Sequence, residues 1–146
     1  MTGMFSQILF ACLLLSSGRH EAADSVVVHV AVGGFRNNVG VCRLLLFDRA
    51  KGFPDTPETA VVLRTDSIRA EAAAFTFTVK PGSYAISVFH DENGNGKVDK
   101  TWYGKPKEGV GASNNPKLGF GPPGFDESTV LLDEKHSDVT IVLNYL

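Results

Sequence analysis

Cysteine is scarce in this 146-residue sequence: only Cys12 and Cys42 are present. If the N-terminal segment carrying Cys12 is removed, Cys42 is left alone, and a lone cysteine supports neither a disulfide framework nor a Cys-based zinc site. Cys42 sits in VCRLLLF, where it reads as a small apolar strand residue rather than a nucleophile. Histidine is equally unhelpful for a metal. His29 lies in an apolar run and His136 in a charged turn, so no histidine cluster forms in the sequence. There is no excess of either charge sign. Fourteen Lys and Arg against sixteen Asp and Glu give a formal net charge of -2, spread without a basic run. That balance offers no electrostatic case for nucleic acid or for anionic lipid. After residue 23 no segment of ten or more residues carries helical periodicity; SIRAEAAAF comes nearest and is short.

The beginning of the chain reads MTGMFSQILFACLLLSSGRHEAADS. Residues 8–15 are apolar and too short to cross a membrane, and small residues and then polar chain follow them. Residues 1–23 are therefore expected to be a signal peptide, with cleavage near Gly18 or Ala22-Ala23, although no Lys or Arg precedes the apolar run. LFAC loosely resembles a lipoprotein processing box, but the apolar run continues beyond Cys12. Residues 24–146 would then form one secreted or periplasmic domain with no transmembrane span. Any partner would be extracellular or in the cell envelope.

What the remaining sequence has in quantity is strand pattern. SVVVHVAV and VGVCRLLLFD flank the turn-rich GGFRNNVG, which predicts a hairpin. AVVLRTDSI predicts a weaker edge strand. In AAAFTFTVKPGSYAISVFHD, Phe75, Phe77 and Val79 alternate with polar residues, and Pro81-Gly82 predicts a second hairpin. STVLLD and DVTIVLNYL close the set. About seven short strands with regular turn signals predict an all-β, Ig-like or prealbumin-like antiparallel sandwich. Tyr84, just after the Pro-Gly turn, suits either a core position or a tyrosine corner. Between Val88 and Thr129 lies one long Gly- and Pro-rich loop. Its aromatics, Trp102, Tyr103, Phe120 and Phe125, are expected to fold onto the sandwich. Trp102 and Tyr103 could alternatively stack on a sugar ring or grip a partner.

That loop opens with HDENGNGKVDK. Counting from Asp91, positions one, three and five are Asp91, Asn93 and Asn95; position six is Gly96 and position nine is Asp99. This is the front half of an EF-hand-like calcium loop. Side chains at alternate positions of a curling chain aim oxygens at one centre, and the Lys97 carbonyl would add another. The back half is missing, because Trp102 occupies the position of the bidentate Glu and the loop is led by a strand. Glu108 is the nearest carboxylate that could complete the shell; Asp48, Asp55 and Asp126 are more distant choices. Oxygen-only ligands favour calcium over zinc or copper, with affinity of roughly 10⁻⁴ to 10⁻³ M. The same letters also suit an Asx-rich turn without metal. A hydrolase using His90, Asp91 and Glu108 is a further reading, although a strand-end His is commonly structural.

The stretch PGSYAISVFHDENGNGKVDKTWYGKPKEGVGASNN, with GPPGFDESTV and TIVLNYL, resembles the bacterial domain of unknown function 2141. The resemblance spans about residues 25–145 and implies a secreted or periplasmic sandwich without an assigned activity. It places Asp91, Asn93, Asn95, Gly96, Asp99, Pro106, Glu108, Gly111, Ser113 and Asn114 on motif positions, which ties Glu108 to the acid loop. Val110 and Ala112 stand where aromatic residues are expected. The expectation is thus a non-enzymatic module with a structural calcium loop, against a metal-free envelope protein and a hydrolase.

Overall fold

The computed structural model describes residues 24–146, and the expected signal segment with Cys12 lies outside them. The alternating Val26, Val28, Val30 and Val32 bury one face of β1 (Val26–Gly33). Ala73, Phe75 and Phe77 do the same for β4 (Ala73–Val79). These two strands pair antiparallel, with Val30 opposite Phe75 and Val28 opposite Phe77. β8 (Asp138–Val142) adds to the other side of β1 in parallel, which makes a three-stranded sheet of order β4-β1-β8.

The second sheet is built on β2 (Val41–Phe47) and β5 (Gly82–Asp91), with β3 (Val62–Ser67) at the edge, where its weaker pattern predicts it. Along the far side of β5, β7 (Thr129–Leu132) pairs with residues 82–85, and β6 (Val110–Ala112) pairs with residues 87–89. The two sheets face each other across one core. Val28, Val30, Phe77 and Ile141 meet Leu44, Leu46, Ile86 and Val88 there. Burying each such side chain stabilises the fold by about 1.5–3 kcal/mol.

The outer face of the second sheet is also covered. Leu45, Phe47 and Phe89 lie beneath Phe53, Val98 and Phe125 from outside the sheet, beside Val110 of β6. This explains why residues 44–47 carry an apolar run rather than an alternation, and why β5 is buried continuously from Ala85 to Asp91. Phe125 is held in a four-residue helical turn, α1 (Phe125–Ser128).

Neither predicted hairpin forms. β1 and β2 lie in opposite sheets, and so do β4 and β5. Period-two alternation identifies a buried face, but it does not identify the neighbouring strand. β5 needs cover on both faces, and only the second sheet supplies it. Pro81-Gly82 is therefore a corner between sheets. The Tyr84 hydroxyl ties it by donating to the Lys80 carbonyl at 2.9 Å, which is the tyrosine-corner arrangement. Tyr84→Phe is expected to cost about 1 kcal/mol, read as a lower urea midpoint. Eight strands are present among the described residues against about seven expected, with one parallel pair in an otherwise antiparallel set. β6, inside the Gly-rich loop, is too short to show a period.

The residues after β6 clasp the two sheets together. The buried Ser113 hydroxyl accepts the Ile86 N–H at 2.9 Å and donates to the Ser128 carbonyl. The Asn114 amide donates to the Thr129 carbonyl, while Asn115 both donates to Thr140 and accepts from Val142. Both asparagines hold left-handed backbone, φ 64° and 45°, a conformation Asn tolerates better than most residues. These motif letters are thus explained by joining β7 to β8.

Candidate functional site

The long loop leaves the sandwich at Asp91, the last residue of β5. Successive strand residues point to opposite faces. Phe89 and Asp91 therefore face the covered outer surface, and His90 faces the inter-sheet core. On β2, Arg43 shares the outer face with Leu45 and Phe47. Its Nε donates to Asp91 Oδ2 at 2.6 Å. Asp91 is fully buried and also accepts the peptide N–H groups of Asn95 at 3.1 Å and Gly96 at 2.8 Å. Burial pushes the Asp91 carboxyl up, but Arg43 and these N–H groups outweigh it and leave the pKa below its ordinary value.

The next turns are Asx turns. Asn93 Oδ1 accepts the Asn95 N–H at 3.1 Å, and Asn95 Oδ1 accepts the Lys97 N–H at 2.9 Å. Gly96 supplies the left-handed backbone, φ +78°, that the curl requires. Both asparagine amides then donate to Asp99, at 2.6 and 3.0 Å. Glu108 closes the loop from the opposite side. Its buried carboxylate accepts the Glu92 N–H at 3.0 Å and the Asp99 N–H at 3.1 Å. One side chain so holds both ends of the curl. Burial raises the Glu108 pKa above its ordinary value, with the Asp99 and Asp91 carboxylates adding to the rise and the two N–H groups opposing it.

The expected metal-site residues Asp91, Asn93, Asn95, Lys97, Asp99 and Glu108 therefore gather in one small assembly. The side-chain oxygens of Asp91, Asn93, Asn95, Asp99 and Glu108 accept hydrogen bonds from Arg43, peptide N–H groups and the asparagine amides. Among the described residues, no three His, Cys, Asp or Glu side chains group as a metal cluster. Asp48 is paired with Arg49, and Asp55 with Lys100.

His90 is fully buried against Phe35 and Tyr145. Its Nε2 donates to the Val39 carbonyl at 2.6 Å, and its Nδ1 shares a hydrogen bond with the Tyr145 hydroxyl at 2.8 Å. That hydroxyl also receives the Arg36 N–H at 3.1 Å. Both ring nitrogens are engaged, and His90 and Asp91 diverge to opposite faces of β5. Burial, with Asp66 adding, pushes the Cys42 thiol up to about 12, as suits a core residue.

A profile of the family described as "Uncharacterized protein conserved in bacteria (DUF2141)" matches residues 30–140. The chain belongs to this family. No curated protein and no solved structure matches it. The DUF2141 match spans both sheets and the whole loop, so the Asp91–Glu108 assembly lies inside the family domain. The family's function is uncharacterised.

Three participants escape a reading of the sequence: Arg43, Arg36 and Tyr145. Arg36 pairs with Glu92, holds it below its ordinary pKa, and lies 4.8 Å over the Tyr145 ring. Arg43 did leave a signal, a lone charge inside VCRLLLF, since a buried Arg needs a partner. Tyr145 left none, because it is far in sequence from the residues it contacts.

Among the described residues no helix is long and apolar enough to cross a membrane. The loop aromatics divide. Phe125 packs on the second sheet as expected, whereas Trp102, Tyr103 and Phe120 do not fold onto the sandwich and stand exposed. The reason is local. Lys100 and Pro106 form a β-bridge that closes a finger over residues 100–106. Trp102 and Tyr103 sit at its tip, beyond reach of the core.

Proposed function

We propose that the chain is an exported, non-enzymatic module on an Ig-like or prealbumin-like sandwich, whose long loop is a presentation surface for an envelope or extracellular partner. The observation that carries this reading is the closure of the loop base by two buried carboxylates, Asp91 and Glu108. Both are engaged in holding backbone, and the finger of residues 100–106 between them is held out from the core. Export rests on the sequence pattern of residues 1–23.

Calcium reinforces the curl in this reading. Asp91, Asn93, Asn95, Asp99 and the Lys97 carbonyl supply oxygens, and hydrogen-bonded oxygens keep lone pairs for a cation. Glu108 serves mainly as the clamp on Glu92 and Asp99. Arg43 already compensates Asp91, so binding is weak, in the range of extracellular modules at roughly 10⁻⁴ to 10⁻³ M. Calcium at about ten times its Kd should stabilise the domain by about 1.4 kcal/mol, a rise of a few degrees in Tm over chelator. Asp99→Asn should remove that rise with little effect in chelator. Wild-type melting curves that coincide in calcium and chelator would refute the calcium site and leave the module reading intact.

A further inference from the structure

The charge balance of the whole chain conceals a local asymmetry. Between residues 91 and 121 there are five lysines, Lys97, Lys100, Lys105, Lys107 and Lys117, and every one is exposed. The four acids of the same stretch are turned inward or paired. Asp91 and Glu108 are buried, Asp99 is held by two amides, and Glu92 is held by Arg36. The loop therefore exposes more cationic than anionic side chains, Lys100 being paired with the exposed Asp55, although the chain as a whole carries -2.

Exposed aromatic side chains lie in the same stretch. The finger is closed by the Thr101 N–H to the Lys105 carbonyl at 2.8 Å and by the Gly104 N–H to the Thr101 carbonyl at 2.9 Å. At its tip Trp102 is 96% exposed and Tyr103 62%, their rings edge to face at 5.2 Å. Phe120 is fully exposed and lines, with Tyr103, Lys100 and Lys105, a groove of about 500 Å³. Three large aromatics exposed to water are unfavourable for an isolated monomer.

We propose that this finger docks the protein on an anionic lipid bilayer, with Trp102, Tyr103 and Phe120 in the headgroup layer and the lysines on the lipid phosphates. Tryptophan and tyrosine settle at membrane interfaces because their rings are apolar with one polar edge. Each lysine near an anionic surface raises affinity about five-fold. Trp102 stands clear of the groove at the finger tip, as insertion requires, whereas protein hot spots anchor in pockets. A sugar site would need free carboxylates or amides beside the rings, and Asp99, Asn93 and Asn95 are occupied with one another.

Trp102 is the only tryptophan, so its emission reports on the finger alone. The full chain is mixed with phosphatidylglycerol/phosphatidylcholine vesicles, with residues 1–23 identical in every arm. The expected result is a blue shift of Trp102 emission and its quenching by lipids brominated in the acyl chain. Lys100→Gln with Lys105→Gln should weaken partitioning roughly twenty-five-fold at unchanged Tm, since the Lys100–Asp55 pair is exposed. Tyr103→Ser with Phe120→Ser should weaken it in the same assay. Emission unmoved by vesicles overturns the proposal, and so does an equal shift with phosphatidylcholine alone. A shift produced by dextran sulfate but not by vesicles would instead make the finger a polysaccharide site.

Discussion

Arg43→Met should destabilise the protein by about 3–5 kcal/mol at neutral pH, because it leaves a buried carboxylate without its counter-ion. The Arg43–Asp91 contact is 2.6 Å, and Asp91 has no exposed surface. Methionine fills the space of the arginine stem, which stands opposite Phe89 and Thr65 across the neighbouring strands, so little of the loss is packing. Adding Asp91→Asn removes the stranded charge while keeping an oxygen for the N–H of Asn95 or Gly96, and the double variant should recover a large part of the loss. Urea midpoints of the four proteins form the cycle that isolates the pair. If Arg43→Met costs under about 1 kcal/mol, the pair contributes no more than a surface ion pair does.

The same pair predicts acid behaviour. Asp91 has a folded pKa below its unfolded value, so its contribution is present above the unfolded pKa of about 3.9 and is lost as pH falls through the lower folded pKa. Arg43→Met removes the main attraction that opposes burial, so this acid loss should shrink in the variant.

Glu108→Ala should cost about 2–4 kcal/mol, since the N–H groups of Glu92 and Asp99 then lose their acceptor together. Hydrogen exchange should show faster exchange at these two amides, with little change in β1 and β4 at conditions that keep the protein folded. Glu108→Gln is the informative companion. Burial raises the Glu108 pKa, so its contribution is fully present below the unfolded value of about 4.3 and is lost as pH rises through the folded pKa. This sign is opposite to that of Asp91. Glutamine keeps one acceptor and carries no charge. It should cost within about 1 kcal/mol at neutral pH and flatten the stability profile between pH 4.3 and neutrality. An alanine variant as stable as wild type would show that Glu108 does not hold the loop.

Much of the fold was legible because strand patterning is local. The Val26, Val28, Val30 alternation and the Phe75, Phe77 alternation each point one face inward, and those faces are the ones buried. The loop was legible too, since alternate acid and amide positions with Gly96 predict a curl, and a curl is present. The hairpins were misread because a Pro-Gly turn reverses a chain equally well within a sheet or between sheets. The aromatics were misread because composition cannot tell a residue that returns to the core from one at the tip of a finger. Phe125 and Phe120 lie five residues apart, and only Phe125 packs on the second sheet.

The sequence by itself determined an all-β domain, its buried faces and a curled acid loop, since each depends on residues within a few positions of one another. The tertiary structure alone decided what the loop's charges do. Arg43 and Asp91 are 48 residues apart, and strand register brings them together. Glu108 reaches both ends of the curl because β6 and β5 are neighbours. Those contacts turn the acids inward and leave the lysines and Trp102 outward, so the loop of a nearly neutral chain exposes more cationic than anionic side chains and an aromatic tip.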